Sequence, residues 1–496
     1  MFRMRRYMVI LAFSGCFLFL FGRLFSIQVI DRARFSALAD KQHNQVLDVE
    51  ARRGTIFDRY MDPLAINMEV QSVFCNPRII TNKAALAAIL AGELGLEAAD
   101  VEDKLQKDKA FVWIKRKIDY STYEKLTAMK LRGVYFRPES KRKYPNDSMA
   151  AHILGFVGMD NEGMEGLERL FDDELKGRSG KRYETRDARM RSVLRKEKIS
   201  VSPRNGNNIV LTIDSVIQCI VEQELATMVE KYNAESGTVI VMEPYSGRIL
   251  AMANSPGYDP NDMSSVQVEN IKNSAISDVF EPGSVFKIVA ASAAIEEGVI
   301  TLEDTVYCEN GKFSVRGRLL NDYHPYGKLS FEDVLAKSSN IGVVKTAMEL
   351  GEKKFFEYIQ KFGFGEKSGI DVPGEVRGIS RPPKVWSRSD ITTIPMGQGI
   401  AVTSLQLASA ISVIANGGYL MKPYVVQEIT TWEGVELKKV LPEERRRVIS
   451  GKTCDKLKKA LRKAVTDGTG RLAKSKRYET CGKTGTAQMV NPLGGY

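Results

Sequence analysis

Histidine and paired cysteine are what this sequence has least of. Three histidines occur among 496 residues, His43, His152 and His324, and there is no H-E-x-x-H stretch. A histidine-centred catalytic triad therefore has few candidates, and a metalloenzyme has little support. The six cysteines, Cys16, Cys75, Cys219, Cys308, Cys454 and Cys481, are widely scattered, and none forms a C-x-x-C pair. Zinc has no support, and the spacing does not suggest a disulfide framework. Internal repeats and low-complexity runs are absent as well. The net charge of +11 fits nucleic acid, an anionic membrane surface or an anionic polymer. The basic residues are dispersed without an aromatic-interleaved stripe, so nucleic acid is not expected as a partner.

What is present is an ordinary globular composition, 43% hydrophobic and 27% charged, and length enough for about three domains. The chain opens with Arg3, Arg5 and Arg6 ahead of a long apolar run. From Tyr7 to Ile30 the one charged residue is Arg23. That run is long enough to cross a bilayer core, with Arg23 snorkelling to the outer interface. The cationic leader favours an N-terminus inside the cell. No A-x-A site follows, so residues 1–30 read as an uncleaved signal anchor in the cytoplasmic membrane, with the remainder outside.

Beyond the anchor, "DRARFSALADKQHNQ" is an amphipathic helical stretch. Short β-rich runs broken by turn residues follow in "RRGTIFDRYMDPLAINMEVQSVFCNP". Helical patterns lie near Lys83–Leu94 and Tyr120–Met129, and 182–208 looks like a charged connector. A strand then leads to a long helix capped by Asp214 or Ser215. "SGTVIVMEPYSGRILAMANSP" reads as a β-hairpin turning at Pro244–Gly247. Helices dominate from Ser284 to about Asn416, and "YETCGKTGTAQMV" reads as a final strand. Strands first, helices in the middle and a strand last predict an α+β domain whose sheet joins both ends of the segment.

"EPGSVFK" sets Ser284 and Lys287 three residues apart after a Pro-Gly break. On a helix that spacing puts a hydroxyl and an amine on one face. Alone it is weak, since "SKRK" at Ser140–Lys143 has the same spacing in a basic stretch. Two further motifs follow in order: Ser338-Ser339-Asn340 and Lys483-Thr484-Gly485-Thr486. The ordered triple is the signature of the penicillin-recognising serine enzymes. The chemistry accounts for the residue types. A serine is inert until a base takes its proton, and a lysine at its free pKa of about 10.4 cannot do so. Burial and a second cation, here Lys483, would favour neutral Lys287. Ser338 would pass a proton between Lys287 and the leaving group, and Asn340 would hold the substrate backbone. The N–H groups of Ser284 and Thr486 would receive the oxyanion. Lys483, Thr484 and Thr486 would bind a carboxylate, with Gly485 letting substrate lie close to the strand.

Over nearly its whole length the chain resembles the class B penicillin-binding proteins, membrane-anchored peptidoglycan D,D-transpeptidases. The resemblance is carried by "ARRGTIFDRYMDPLAIN", "YPNDSMAAHILGFVG", "GMEGLERLFDDELKG", "LTIDSVIQ", "GRILAMANSPGYDPN", "FEPGSVFK", "PMGQGIAVTSLQLASAISVIANGG" and "DGTG". "RRGTIFDR" and "PMGQGIAVT" favour the division and sporulation branch. The resemblance implies an α+β chain with a membrane helix, a mostly β pedestal over 31–205, and a transpeptidase domain over 206–496 built on an antiparallel sheet flanked by helices. It implies D-Ala-D-Ala stem peptides as substrate, β-lactams as covalent inhibitors and no cofactor or metal. The partners it implies are the inner membrane, a polytopic glycosyltransferase and other division proteins. Relatives continue past the Lys-Thr-Gly strand with more strands and a helix. Only "AQMVNPLGGY" follows here, which predicts that the sequence is a fragment.

Two other readings share this fold: a D,D-carboxypeptidase or β-lactamase, and a non-catalytic scaffold or β-lactam sensor. The pedestal disfavours the small hydrolases, and the single membrane span disfavours the sensor. Other polar residues read as structural. His152 is a packed or capping residue, Asp58-Arg59 a pedestal turn or ion pair, Glu168 a pedestal stabiliser and Cys481 a small packed residue.

Overall fold

A computed structural model of the chain describes residues 2–36, 44–185, 198–264 and 266–487. These fall into two compact units. One comprises Met1–Arg52 with Gly177–Gly206, the other Arg53–Lys176 with Asn207–Tyr496.

In the first unit an α-helix, Phe2–Phe25, runs into a π-helical turn, Ser26–Ile30. Together, Phe2–Ile30 is long and apolar enough to cross a membrane, and none of its most apolar window is buried. A helix apolar on every side that finds no protein partner is suited to lipid. Of the amphipathic stretch that follows, residues 32–36 are helical and 37–43 lie outside the described residues. The unit also holds an antiparallel sheet in which Gly180–Thr185 lies between Asn44–Val49 and Lys198–Val201. The expected connector at 182–208 thus carries strands at its ends, because antiparallel partners satisfy its backbone groups.

The second unit is organised by a seven-stranded sheet. Its order is Glu436–Lys439, Val426–Thr430, Asn208–Leu211, Ile56–Phe57, Pro63–Cys75 and Val112–Ile118, with Val134–Lys143 also paired to Pro63–Cys75. Most pairs are antiparallel, but Ile56 runs parallel to Ile209, so chain segments far apart in sequence share one ladder. At the far end of this sheet, helices Lys83–Leu94 and Ala98–Gln106 cover one face with Leu86, Leu90, Leu94, Val101 and Leu105. Asn82 caps the first of these by accepting from Ala85 N at 3.0 Å, and Asp119 caps Tyr120–Ala128 through Thr122 N at 2.8 Å.

Asp214 caps the helix Ser215–Tyr232, as the pattern predicts. The hairpin Gly237–Met242/Ile249–Ser255 forms, with Gly247 at φ +83° in its turn. The helix Lys287–Glu296, "KIVAASAAIE", has no polar face after its first residue, and Ile288 to Ile295 are all buried. A helix apolar all round belongs at the centre of a domain. It packs with Phe331, Val344, Phe355, Val413 and Leu457 in the largest hydrophobic core.

One expected element is absent. The segment carrying Lys483 to Thr486 is not a strand, and among the described residues the sheet does not join both ends of the domain. Its backbone bond to the rest of the described fold is Gly482 N to Leu461 O, at 3.2 Å. A strand needs a neighbour supplying donors and acceptors along its length, and among the described residues none is placed beside it. The segment packs instead on the helix Gly451–Thr466 and on the turn before Ser284.

Candidate active site

The first motif begins where the chain turns sharply. Pro282 precedes a 3-10 turn, Gly283–Phe286, which passes directly into the buried helix Lys287–Glu296. Gly283 has φ +54°, and a Cβ there would stand 2.1 Å from Thr486 O. Gly397, in "PMGQG", has φ +82°, and its Cβ would stand 2.1 Å from Gly283 O. Gly283 N donates to Gly397 O at 3.1 Å. Three stretches of chain therefore meet backbone to backbone at positions where only glycine fits. Ser284 is partly exposed at this junction.

Lys287 is fully buried. Its Nζ lies 2.6 Å from Ser338 O, 2.6 Å from Asn340 Oδ1 and 3.1 Å from Ser338 Oγ. Burial, reinforced by the Lys483 cation and opposed by Asp322, lowers its pKa to about 7. As an ammonium, Lys287 donates to all three oxygens, the Ser338 hydroxyl included; as a neutral amine it keeps two N–H donors for Ser338 O and Asn340 Oδ1 and frees a lone pair. Lys483 Nζ donates to the same Ser338 Oγ at 2.9 Å and to Thr484 O at 2.9 Å. Burial lowers its pKa to about 8. One hydroxyl thus bridges two lysines whose charge is adjustable. Ser338 itself sits at φ +60°, a left-handed conformation costly for a serine and typical of functional positions.

The second motif is held by a residue that sequence reasoning missed. Asp322 accepts from Asn340 N at 2.5 Å, Ile341 N at 3.1 Å and Ser339 Oγ at 2.6 Å. A carboxylate at the N-terminus of the helix Asn340–Leu350 satisfies its free N–H groups and complements its dipole. No local pattern marks Asp322, which lies 17 residues before Ser339 in a loop. Asn340 Nδ2 donates to Asn321 O at 2.8 Å. The amide expected to hold substrate is thereby fixed by Lys287 on one end and Asn321 on the other, leaving one N–H for a ligand.

The third motif is tied to the second through "DGTG". Thr469 N donates to Ala336 O at 3.2 Å, and Thr469 Oγ1 lies 2.6 Å from Thr484 Oγ1. Thr484, Gly485 and Thr486 are exposed and Lys483 is partly buried. A Cβ on Gly485 would stand 2.6 Å from Val285 Cγ2 and 3.1 Å from Pro282 O. The reason for glycine here is therefore the approach of the Ser284 turn, not only of a substrate.

The predicted residues Ser284, Lys287, Ser338, Asn340, Lys483, Thr484, Gly485 and Thr486 thus belong to one junction. Among the described residues, however, no hydrogen bond joins Ser284 Oγ to Lys287, whose amine is turned toward Ser338. Catalytic hydrogen bonds are often loose without substrate and tighten around it. Residues set aside as structural behave so, with Cys481 as the one correction. Asp58 is the expected turn residue, accepting from Tyr60 N at 2.8 Å and Asp62 N at 2.9 Å, while Arg59 pairs with Asp214 at 4.0 Å. Cys481 is exposed, with Sγ 3.6 Å from Lys458 O. His152 is buried, lies 2.9 Å from Asn270 O through Nε2, and meets Tyr258 edge-on. Glu168 is buried between Arg53 and Arg142, each at 2.6 Å.

Comparison with known proteins gives two family matches. "Penicillin binding protein transpeptidase domain" matches residues 237–496, and "Penicillin-binding Protein dimerisation domain" matches residues 48–211. Stage V sporulation protein D of Bacillus subtilis is 35% identical over 482 residues, 96% of this chain and 74% of the relative. Peptidoglycan D,D-transpeptidase FtsI of Escherichia coli K12 is 30% identical over 493 residues, 97% of this chain and 82% of the relative. Among solved structures, penicillin-binding protein 3 of Mycobacterium tuberculosis complexed with ampicillin has a TM-score of 0.70 at 27% identity. That match covers 90% of this chain and 83% of that one.

Proposed function

The chain belongs to the class B penicillin-binding proteins, and on that premise we propose that it is a peptidoglycan D,D-transpeptidase that cross-links stem peptides during septal wall synthesis. The observation that carries the reading is the Ser338 hydroxyl, bridged between buried Lys287 and Lys483 beside the Ser284 turn. The pedestal is assigned to 31–205 and the transpeptidase domain to 206–496.

Ser284 is the nucleophile. Its Oγ attacks the carbonyl carbon between the two terminal D-Ala residues, and its proton passes to the lone pair of neutral Lys287. The N–H groups of Ser284 and Thr486 receive the oxyanion. Lys483, Thr484 and Thr486 hold the terminal carboxylate, and Asn340 holds the peptide backbone. Collapse breaks the C–N bond. The proton returns from Lys287 through Ser338 to the departing D-Ala amine, leaving an ester on Ser284. An amine of a second stem peptide then attacks the ester carbonyl and gives up its proton along the same path, which restores the Ser284 hydroxyl. A β-lactam follows the first half and leaves an ester whose amine remains tethered.

Phe2–Ile30, the one helix among the described residues long and apolar enough to cross a membrane, is the membrane anchor. Arg3, Arg5 and Arg6 place its N-terminus in the cytoplasm and the catalytic domain outside. A polytopic glycosyltransferase and other division proteins are the expected partners. The direct test is labelled penicillin followed by peptide mapping. The label is expected on the peptide containing Ser284 and lost in Ser284→Ala. Labelling that survives this substitution rules the assignment out.

A further inference from the structure

We propose that the outer face of the pedestal sheet binds the glycan strand of peptidoglycan, through an aromatic platform of Phe74, Phe111, Trp113 and Tyr135. The register sets Phe74 opposite both Trp113 and Tyr135 on the neighbouring strands. Paired residues share a face, while Val73 and Cys75 point the other way into the helix-covered core. The rings are contiguous. Phe74 stacks on Tyr135 at 5.4 Å between centroids and meets Phe111 at 4.6 Å, and Phe111 meets Trp113 edge-on at 4.9 Å. Tyr135 is 43% exposed and Phe111 41%. Rings held rigid by their neighbours and open to solvent are costly to leave bare on a sheet face.

The surroundings select the ligand. The Arg116 guanidinium lies over Trp113 at 5.7 Å and is fixed by Glu139 at 2.8 Å and Asp160 at 2.7 Å. On the same face of the strand Val134–Lys143, two residues apart from one another, stand Tyr135, Arg137, Glu139 and Lys141; Arg137 and Lys141 are exposed. Flat apolar rings suit the C–H faces of pyranose sugars, and the two exposed cations suit the carboxylates that stem peptides add along the strand. A polymer held at a second place raises the effective concentration of its peptides at the reacting cleft. In taking peptidoglycan as the polymer, this inference rests on the function proposed above.

The test uses the detergent-solubilised chain cosedimented with purified peptidoglycan, and with the same glycan strands stripped of stem peptides. Phe111→Ala with Tyr135→Ala is expected to weaken both interactions about tenfold. Tyr135→Phe is expected to retain them, and acylation by fluorescent penicillin is expected to stay unchanged in both variants. Arg137→Glu, an exposed change, is expected to weaken binding to peptide-bearing strands more than to stripped ones. It carries the test if the double variant fails to acylate. Unchanged cosedimentation of the double Ala variant, or of Arg137→Glu with peptide-bearing strands, overturns the proposal and leaves this face to a protein partner. Failure of the unaltered chain to bind stripped strands overturns the glycan assignment. Absence of penicillin labelling in the unaltered chain counts against the proposed function alone, since cosedimentation needs no acylation.

Discussion

Asp322 and Asn340 are joined by a 2.5 Å hydrogen bond from the Asn340 backbone N–H to Asp322 Oδ1, and through it a loop holds the Ser338-Ser339-Asn340 motif. The same carboxylate takes the Ile341 amide and the Ser339 hydroxyl. It also acts at a distance on Lys287, whose cation it favours.

Replacing Asp322 by Asn therefore has two expected effects. The variant loses a charge-assisted cap worth about 1.5–3 kcal/mol, read as a lower melting temperature. The lysine loses a stabilising negative charge, so the pH at which acylation is half-maximal moves down. A purely structural role for Asp322 would lower the melting temperature and leave the pH profile where it was.

If Lys287 is the base, as proposed, acylation is expected to rise with pH through about 7, where its neutral form accumulates. The stability effect has the same sign. The folded pKa lies below the unfolded value of about 10.4, so between these values the unfolded chain holds the extra proton. The penalty of burying this amine is full below pH 7 and shrinks as pH rises. Melting temperature should therefore climb more from pH 7 to 9 in the unaltered chain than in Lys287→Met. Equal slopes, or acylation flat across pH 6–8, would show that the amine is not titrating there.

Lys483→Ala should slow penicillin acylation by about two orders of magnitude or more, as for loss of a proton-transfer or electrostatic partner. Lys483 is only partly buried and anchors no core, so the melting temperature should move by a few degrees at most. A large loss of stability with normal acylation would reverse its assignment.

Glu168→Ala should cost about 3–5 kcal/mol in stability, because it leaves the buried guanidinium groups of Arg53 and Arg142 without their shared carboxylate. Thermal unfolding checks the magnitude. Penicillin labelling of the surviving folded fraction should persist, since Glu168 lies apart from the three motifs in the pedestal assignment. Loss of labelling without loss of stability would give Glu168 another role.

The sequence by itself determined the parts whose signal is local. The apolar run Tyr7 to Ile30, interrupted by Arg23 alone, announced the helix Phe2–Phe25, the period of "KAALAAILAGEL" announced Lys83–Leu94, and Asp214 announced the start of Ser215–Tyr232. The three motifs pointed to residues that the fold brings to one junction, because their residue types and order are chemically constrained. Only the tertiary structure decided what depends on partners distant in the chain. Asp322 became part of the site because a loop carries it to a helix end, which no periodicity records. Gly283 and Gly397 are glycines because two backbones touch there. "YETCGKTGTAQMV" reads as a strand, yet its described residues form none, since strand structure belongs to a pair and not to one segment. The lowered pKa of Lys287 was expected in direction from its chemistry. Its extent comes from complete burial at the start of an all-apolar helix and from the placement of Lys483, both products of packing.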